Sequence, residues 1–584
     1  MSTVVPNYLL KDIFRIYIKF LFKNKSRDVS NFGFDLTIYQ LQSLQKLRLV
    51  CKEWLDLVKR ELGLKLHKIW LGDSKDFKTY SFYKRFTEGI ENAISLDFAN
   101  KSVDYLLKQF QPVFDYTTSL RIADSGLDFK SLSKQFGEQC RFKKLSALEI
   151  QHTYHYMENR GTTHVNVMDL VTFANGIAST MESITKLKIS RLCYDYTVIK
   201  QMQRLGSLKT LKLKQVKFQF SEFIEYLTQT KTLEKLVLDA IKPISNDTEY
   251  PNKVSALMTS LSTQKTIKHL AIYIPHQYED YGSQISAESI IELLNVNSIL
   301  QYLDFIHQQI HFLGDFKNGI KKIKNNTIRS VSETLVLKCW NSDSGICDIK
   351  RYRMEPTQTV LNYHLVNLQS MSVYLNRDTD DSLIQLIRMS PKKLTHLTIL
   401  PEYPHSVDTQ IEILDAVKDN IVITHLTFST YVHHYNLLNF LKFHHPTLED
   451  LTVGFITDFN LTELSQLPRF SPNLKSLKLQ NNKNEYKSEL FMDSKFEELL
   501  NIYCSNLIQL IDNQPYLLEI QLPTPLFYSK WSSFFHINRF DFDVHQQTLL
   551  RHAIKSHQNL HTLVLSLENS NTNSLLRESL IRHF

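Results

Sequence analysis

One hexamer recurs along almost the whole chain: an apolar residue, two variable ones, an apolar residue, one variable, an apolar residue. It reads LSALEI at 145, ITKLKI at 184, LKTLKL at 208, LEKLVL at 233, IKHLAI at 267, LQYLDF at 300 and LQSMSV at 368. It continues as LTHLTI at 394, ITHLTF at 423, LEDLTV at 448, LKSLKL at 474, LLEIQL at 517 and LHTLVL at 560. Weaker copies lie at Leu66–Leu71, around Ile94 and Leu96, at Leu120 and Ile122, and at Leu335 and Leu337. The second half of the hexamer alternates apolar and variable residues, the period of a strand with one buried face. Between copies the apolar spacing is helical, as in Phe223, Ile224, Tyr226 and Leu227, or Leu383, Ile384, Leu386 and Ile387. The tightest intervals are 24 to 29 residues, as from 184 through 208 to 233 and from 423 through 448 to 474. That length holds one short strand and one helix.

A single strand–helix unit cannot bury its apolar face alone, whereas stacked neighbours share a continuous core. The expected fold is therefore α/β: an irregular solenoid over residues 66–584 with about sixteen repeats, a curved parallel sheet inside and helices outside. Positions 4 and 6 of each hexamer point into the core, so positions 3 and 5 line the concave face. This predicts a candidate binding face of Lys186, Lys188, Thr210, Lys212, Lys235 and His269, then Tyr302 and Asp304, and then His396, Thr398, His425 and Thr427. Ser370, Ser372, Asp450, Thr452, Ser476, Lys478, Glu519 and Gln521 extend it. The early set forms a positive strip from Lys186 to His269, which suits an acidic or phosphorylated partner segment. His396 and His425 hold equivalent places in consecutive repeats, but two imidazoles without a third ligand do not make a metal site. Among Asp378, Asp380 and Asp381, one is expected to cap the helix that the apolar series from Leu383 announces.

Composition narrows the function by exclusion. Hydrophobic residues make up 43% and charged residues 22%, so the chain folds. The net charge of +8 is scattered among acids without a local basic module, and no nucleic-acid partner is expected. Six dispersed cysteines (Cys51, Cys140, Cys193, Cys339, Cys347 and Cys504) form no CxxC pair and read as free thiols. Lys11, Asp12 and Arg15 break the early apolar run, so no secretory leader is expected, and no run reaches membrane-spanning length. An intracellular place, cytoplasmic or nuclear, follows as the expectation, with no membrane partner. No phosphate loop, nucleophile elbow or metalloprotease motif occurs, and glycine numbers only 14. The chain is expected to bind protein without catalysing a reaction, and to need no metal or cofactor.

Residues 1–65 depart from the repeat. Pro6 precedes Leu9, Leu10, Ile13, Phe14 and Tyr17, an amphipathic helical series. A second series runs through Leu41 and Leu44 into LRLVCKEWLDLV, Leu47 to Val58.

The hexamer pattern resembles the leucine-rich-repeat superfamily, in particular its intracellular members with helical outer faces. Two features depart from it. The asparagine or cysteine usual three positions after the hexamer is replaced by Leu192, Val216 and Ile241, although Asn482 keeps it, and several intervals stretch to between 32 and 43 residues. The N-terminal segment resembles an F-box through Pro6, Leu9, Leu10, Ile13 and Phe14 at its start and Leu47, Val50, Cys51, Trp54, Leu55 and Val58 at its close. Between Tyr17 and Leu41 the chain carries more residues than a compact family member needs, so Asp28–Ile38 either supplies the middle of the module in an altered form or loops out as an internal insertion. The F-box resemblance implies a small helical module that docks the adaptor of a cullin–RING ubiquitin ligase and, through it, the cullin. The repeat face would then hold a protein substrate. The alternative is that these helices cap the open end of the solenoid in a scaffold that recruits no ligase.

Overall fold

The computed structural model describes residues 69–71, 94–99, 117–124, 145–152, 183–190, 202, 205–239, 241–243, 250–273, 286–305, 311–314, 323–332, 335–341, 345–346, 360–374, 380–400, 407–457, 459–480, 496–522, 544–557, 559–560 and 562–565. The chain divides into two compact units, Met1–Ser283 and Gln284–Phe584.

In the first unit, β1 (Ile69–Leu71), β2 (Ile94–Ala99), β3 (Thr117–Asp124), β4 (Ala147–His152), β5 (Lys186–Ser190) and β6 (Thr210–Lys214) pair in succession. A short β7 (Lys217–Phe218) and α1 (Phe220–Gln229) follow, then β8 (Lys235–Asp239), a short β9 (Lys242–Pro243), α2 (Tyr250–Ser262) and β10 (His269–Tyr273). β6 continues the ladder to β8 and β10, every pairing in it parallel, while β7 and β9 pair separately. The helices α1 and α2 pack on each other.

In the second unit, α3 (Ala287–Val296) precedes β11 (Tyr302–Phe305), β12 (His311–Gly314), β13 (Ser330–Ser332), β14 (Val336–Asn341), β15 (Gly345–Ile346) and β16 (Ser370–Tyr374). Then come α4 (Asp380–Arg388), β17 (His396–Leu400), α5 (Val407–Lys418), β18 (His425–His433), α6 (His434–Leu441), β19 (Asp450–Thr457), α7 (Leu461–Ser465) and β20 (Ser476–Leu479). The unit closes with α8 (Phe496–Asn513), β21 (Glu519–Leu522), α9 (Val544–Ser556) and β22 (Thr562–Leu565). Its ladder runs β11–β13–β16–β17–β18–β19–β20–β21–β22, parallel throughout. Successive helices pack as neighbours, α4 on α5, α5 on α6, α7 on α8 and α8 on α9. Each unit is thus an α/β, solenoid-like stack of strand-centred repeats.

The hexamer explains the stack. All thirteen clear copies open a strand at their third position, from Ala147 to Thr562. In the copies from 145 to 517 every apolar position is buried, and so are Leu560 and Leu563 of the last. Each such side chain contributes on the order of 2 kcal/mol of burial. The backbone repeats a motif of its own. The carbonyl at position 2 accepts the position 2 and position 3 N–H groups of the next copy, as Thr185 does for Lys209 and Thr210, or Thr395 for Thr424 and His425, at 2.8 to 3.0 Å.

Three expectations need correction. The weak copy at Leu335 and Leu337 is not a rung of the ladder: β14 pairs with β12 and β15 in a side sheet, and the rung is β13, anchored by buried Ile328 and Val331. Asp380 and Asp381 are the first residues of α4 and do not precede it as caps; Asp378 lies outside the described residues. Ser476, expected on the open face, is buried. The boundary near residue 65, the 1–65 module and Asn482 lie outside the described residues.

Candidate functional site: the open strand face

Register gathers the predicted residues into rows. In the first unit, Lys186, Thr210, Lys235 and His269 stand opposite one another in β5, β6, β8 and β10, and Lys188 faces Lys212 in the adjoining row. The strip is not the unrelieved cation ladder that its spacing predicts. Lys188 Nζ lies 2.6 Å from Glu149 Oε1 in the preceding strand, and Arg121 Nε approaches the same oxygen at 3.5 Å. Lys214 pairs with Asp239 at 2.9 Å. His269 is held below the ordinary imidazole range, first by burial and then by Lys235 and Lys268, so it adds no charge at neutral pH.

In the second unit, Tyr302 and Asp304 lie on β11, with Tyr302 exposed; Asp304 accepts a hydrogen bond from Ser332. Ser370, His396, His425 and Asp450 form one registered row, and Ser372, Thr398, Thr427 and Thr452 the next. The rings of His396 and His425 stack with centroids 4.0 Å apart and an interplanar angle of 11°. Thr395 Oγ1 lies 2.8 Å from His396 Nδ1 and 3.3 Å from the Gln369 carbonyl oxygen. Burial, and then His425, hold His396 below the ordinary imidazole range. Thr424 Oγ1 repeats the arrangement, 2.8 Å from His425 Nδ1 and 3.3 Å from the Thr395 carbonyl oxygen. His425 Nε2 lies 2.8 Å from Asp450 Oδ2. Farther along, Lys478 pairs with Glu519 at 2.7 Å. No group of three or more His, Cys, Asp or Glu placed to hold a metal ion occurs among the described residues.

A set of buried polar residues three positions before the hexamer went unseen in the sequence. Asn420 Oδ1 accepts the Val422 and Ile423 N–H groups at 2.8 and 3.0 Å, and its Nδ2 donates to Ile387 O at 2.8 Å. Asn325 repeats this on Thr327, Ile328 and Asn297 O. His445 and His557 do so with imidazole: Nδ1 accepts from Leu448 or Leu560, and Nε2 donates to Val417 O or Gln514 O. These side chains tie each strand's entry to the preceding repeat. Three positions after the hexamer, Val216 and Ile241 are buried apolar fillers. The available signal was a polar residue three before eight of the thirteen hexamers, as at Asn297, Asn420, His445 and His557.

The docking residues Pro6, Leu9, Leu10, Ile13, Phe14, Leu47, Val50, Cys51, Trp54, Leu55 and Val58 lie outside the described residues. No helix among the described residues is long and apolar enough to cross a membrane.

No family model and no curated protein matches this chain. Two solved structures are similar at 12% identity. One, a tropomodulin C-terminal domain from Caenorhabditis elegans, has a TM-score of 0.18 over 35% of this chain and 92% of its own. The other, the Arabidopsis receptor kinase HAESA in complex with the peptide hormone IDA and the co-receptor SERK1, has a TM-score of 0.24 over 78% of this chain and 72% of its own.

Proposed function

We propose that this chain is the substrate-recognition subunit of a cullin–RING ubiquitin ligase. In this reading a leucine-rich-repeat strand face holds a protein substrate, and the N-terminal F-box-like module docks the adaptor. The observation that carries the protein-binding half is the row structure of the open face. In the rows from Ser370 to Asp450 and from Ser372 to Thr452 its side chains are polar, in register from strand to strand, and backed by an apolar layer. Such a surface is pre-organised, so a partner gains contacts without ordering the backbone that makes them. The ligase half rests on the string Leu47 to Val58 with Pro6, Leu9, Leu10, Ile13 and Phe14 ahead of it. Ubiquitin chemistry belongs to the partners, and this chain contributes proximity. The proposed setting is cytoplasmic or nuclear.

Co-purification of adaptor and cullin with the full chain, and with a chain lacking residues 1–60, tests the ligase half. Both partners are expected with the full chain and absent after truncation. A folded full chain that captures neither would leave a protein-binding scaffold whose N-terminal helices cap the stack.

A further inference from the structure

We propose that the stacked rings of His396 and His425 form a proton-operated latch on the open face of the second unit, closed while the pair holds at most one proton and opened by the second. This deepens the reading above by giving the strand face a regulator, and it rests on that reading only in taking a protein to be what the face holds. The sequence builds the pair by repetition. Consecutive hexamers at 394 and 423 carry the same string, Thr-His-Leu-Thr, and register sets His396 beside His425 on β17 and β18. In each copy the preceding threonine turns the ring the same way: Thr395 Oγ1 lies 2.8 Å from His396 Nδ1, and Thr424 Oγ1 lies 2.8 Å from His425 Nδ1. The rings therefore come face to face, with centroids 4.0 Å apart and planes 11° from parallel.

Such a pair attracts when at most one ring is charged and repels when both are. Among the described residues, the surroundings balance one charge and not two. On β19, Asp450 Oδ2 lies 2.8 Å from His425 Nε2, while Glu449, the other carboxylate at that edge, is engaged by Lys475 at 2.8 Å. On the opposite side β16 presents Gln369 and Ser370, neither of which titrates. The second proton therefore arrives on a ring that already faces an imidazolium, and the pair takes up its two protons in two separated steps. The direction in which burial and His425 hold His396 agrees with this. The ring that yields is His396, which is exposed and has the small Ser370 as its other neighbour, whereas His425 is half-buried and tied to Asp450. Its departure breaks the row Ser370–His396–His425–Asp450, and a protein held across β16 to β19 loses contacts there. Ordinary imidazole titrates near about 6.5, so the opening falls between neutral pH and about pH 5.

The test is an NMR pH titration of the full chain with its histidines carbon-13 labelled at Cε1, the His396 signal being identified by its loss in His396→Gln. Between about pH 7.5 and pH 5 that signal is expected to titrate below about 6.5. In the same step it should lose the ring-current displacement that a face-to-face neighbour imposes. His425→Phe keeps a flat ring in the stack but removes its proton, so the His396 midpoint should rise by about one pH unit, roughly tenfold in proton affinity. His425→Gln removes ring and charge together; it should raise the midpoint as well and abolish the displacement at every pH. A His396 midpoint unchanged in both His425 variants, or a displacement that survives the whole titration of the wild type, would overturn the proposal. The chain is titrated alone, so failure here and failure of the ligase reading, which adaptor co-purification tests, are separable.

Discussion

His445 shows how much one side chain contributes to a repeat. Its Nδ1 accepts from Leu448 N at 3.0 Å while its Nε2 donates to Val417 O at 2.9 Å, which only the neutral ring can do. Burial is the main cause holding its pKa below the ordinary value, and the hydrogen bonds to Val417 and Asn420 oppose that shift. A histidine whose folded pKa is depressed stabilises the fold fully above its unfolded pKa, near 6.5, and that contribution is lost as pH falls through this value toward the folded one. His269 and His396 shift in the same direction. The melting temperature should therefore drop between neutral pH and about pH 5. Asn420 fills the equivalent place in the preceding repeat, so His445→Asn should keep the fold and flatten part of that slope. His445→Leu leaves the cap unmade and should cost about 2 kcal/mol in denaturant melts. Identical pH slopes for the wild type and His445→Asn would refute the assignment. Little of this was visible in the sequence, because a histidine or asparagine among polar residues reads as surface until a backbone is found around it. The Glu149–Lys188 pair was equally hidden, since its members are 39 residues apart and meet only through register.

At the scale of elements, legibility followed the number of apolar anchors. Thirteen copies with three apolar positions each opened their strand where the alternation begins. β13 has Ser330 and Ser332 flanking a single valine, so its alternation is too short to read, and the stronger apolar run at Leu335 drew the assignment away. β18 and β19 show a further local constraint. Their pairing shifts register between Phe428 and Tyr431, and Gly454 lies against that irregularity. A Cβ at Gly454 would sit 3.1 Å from Ser429 Cα and 3.2 Å from the Phe428 carbonyl oxygen, both backbone atoms that cannot swing away. Gly454→Ala should destabilise by about 1–3 kcal/mol. Gly206, where an added Cβ meets nothing within 4 Å, is the control, and Gly206→Ala should stay within about 0.5 kcal/mol of the parent. Equal melting temperatures for the two variants would remove the close-approach argument.

For the whole molecule, the period of the sequence foretold a parallel stack because each unit can hide its apolar side only against the next. The candidate face was legible as a set of positions, since odd and even residues of a strand part to opposite sides. Its charge balance was not, because pairing across repeats cancels some of the lysines. The central claim is that hexamers at the short intervals are consecutive rungs, so that Thr398 and Thr427 are lateral neighbours. Nitroxide labels on cysteines placed at these two positions, with the native cysteines replaced, test it by electron paramagnetic resonance. Strong spin–spin broadening is expected for the pair at 398 and 427, about 5 Å apart on adjacent strands, and little for labels at 304 and 427, roughly 19 Å apart along the same ladder. Broadening in both pairs, or in neither, would contradict the stacked arrangement.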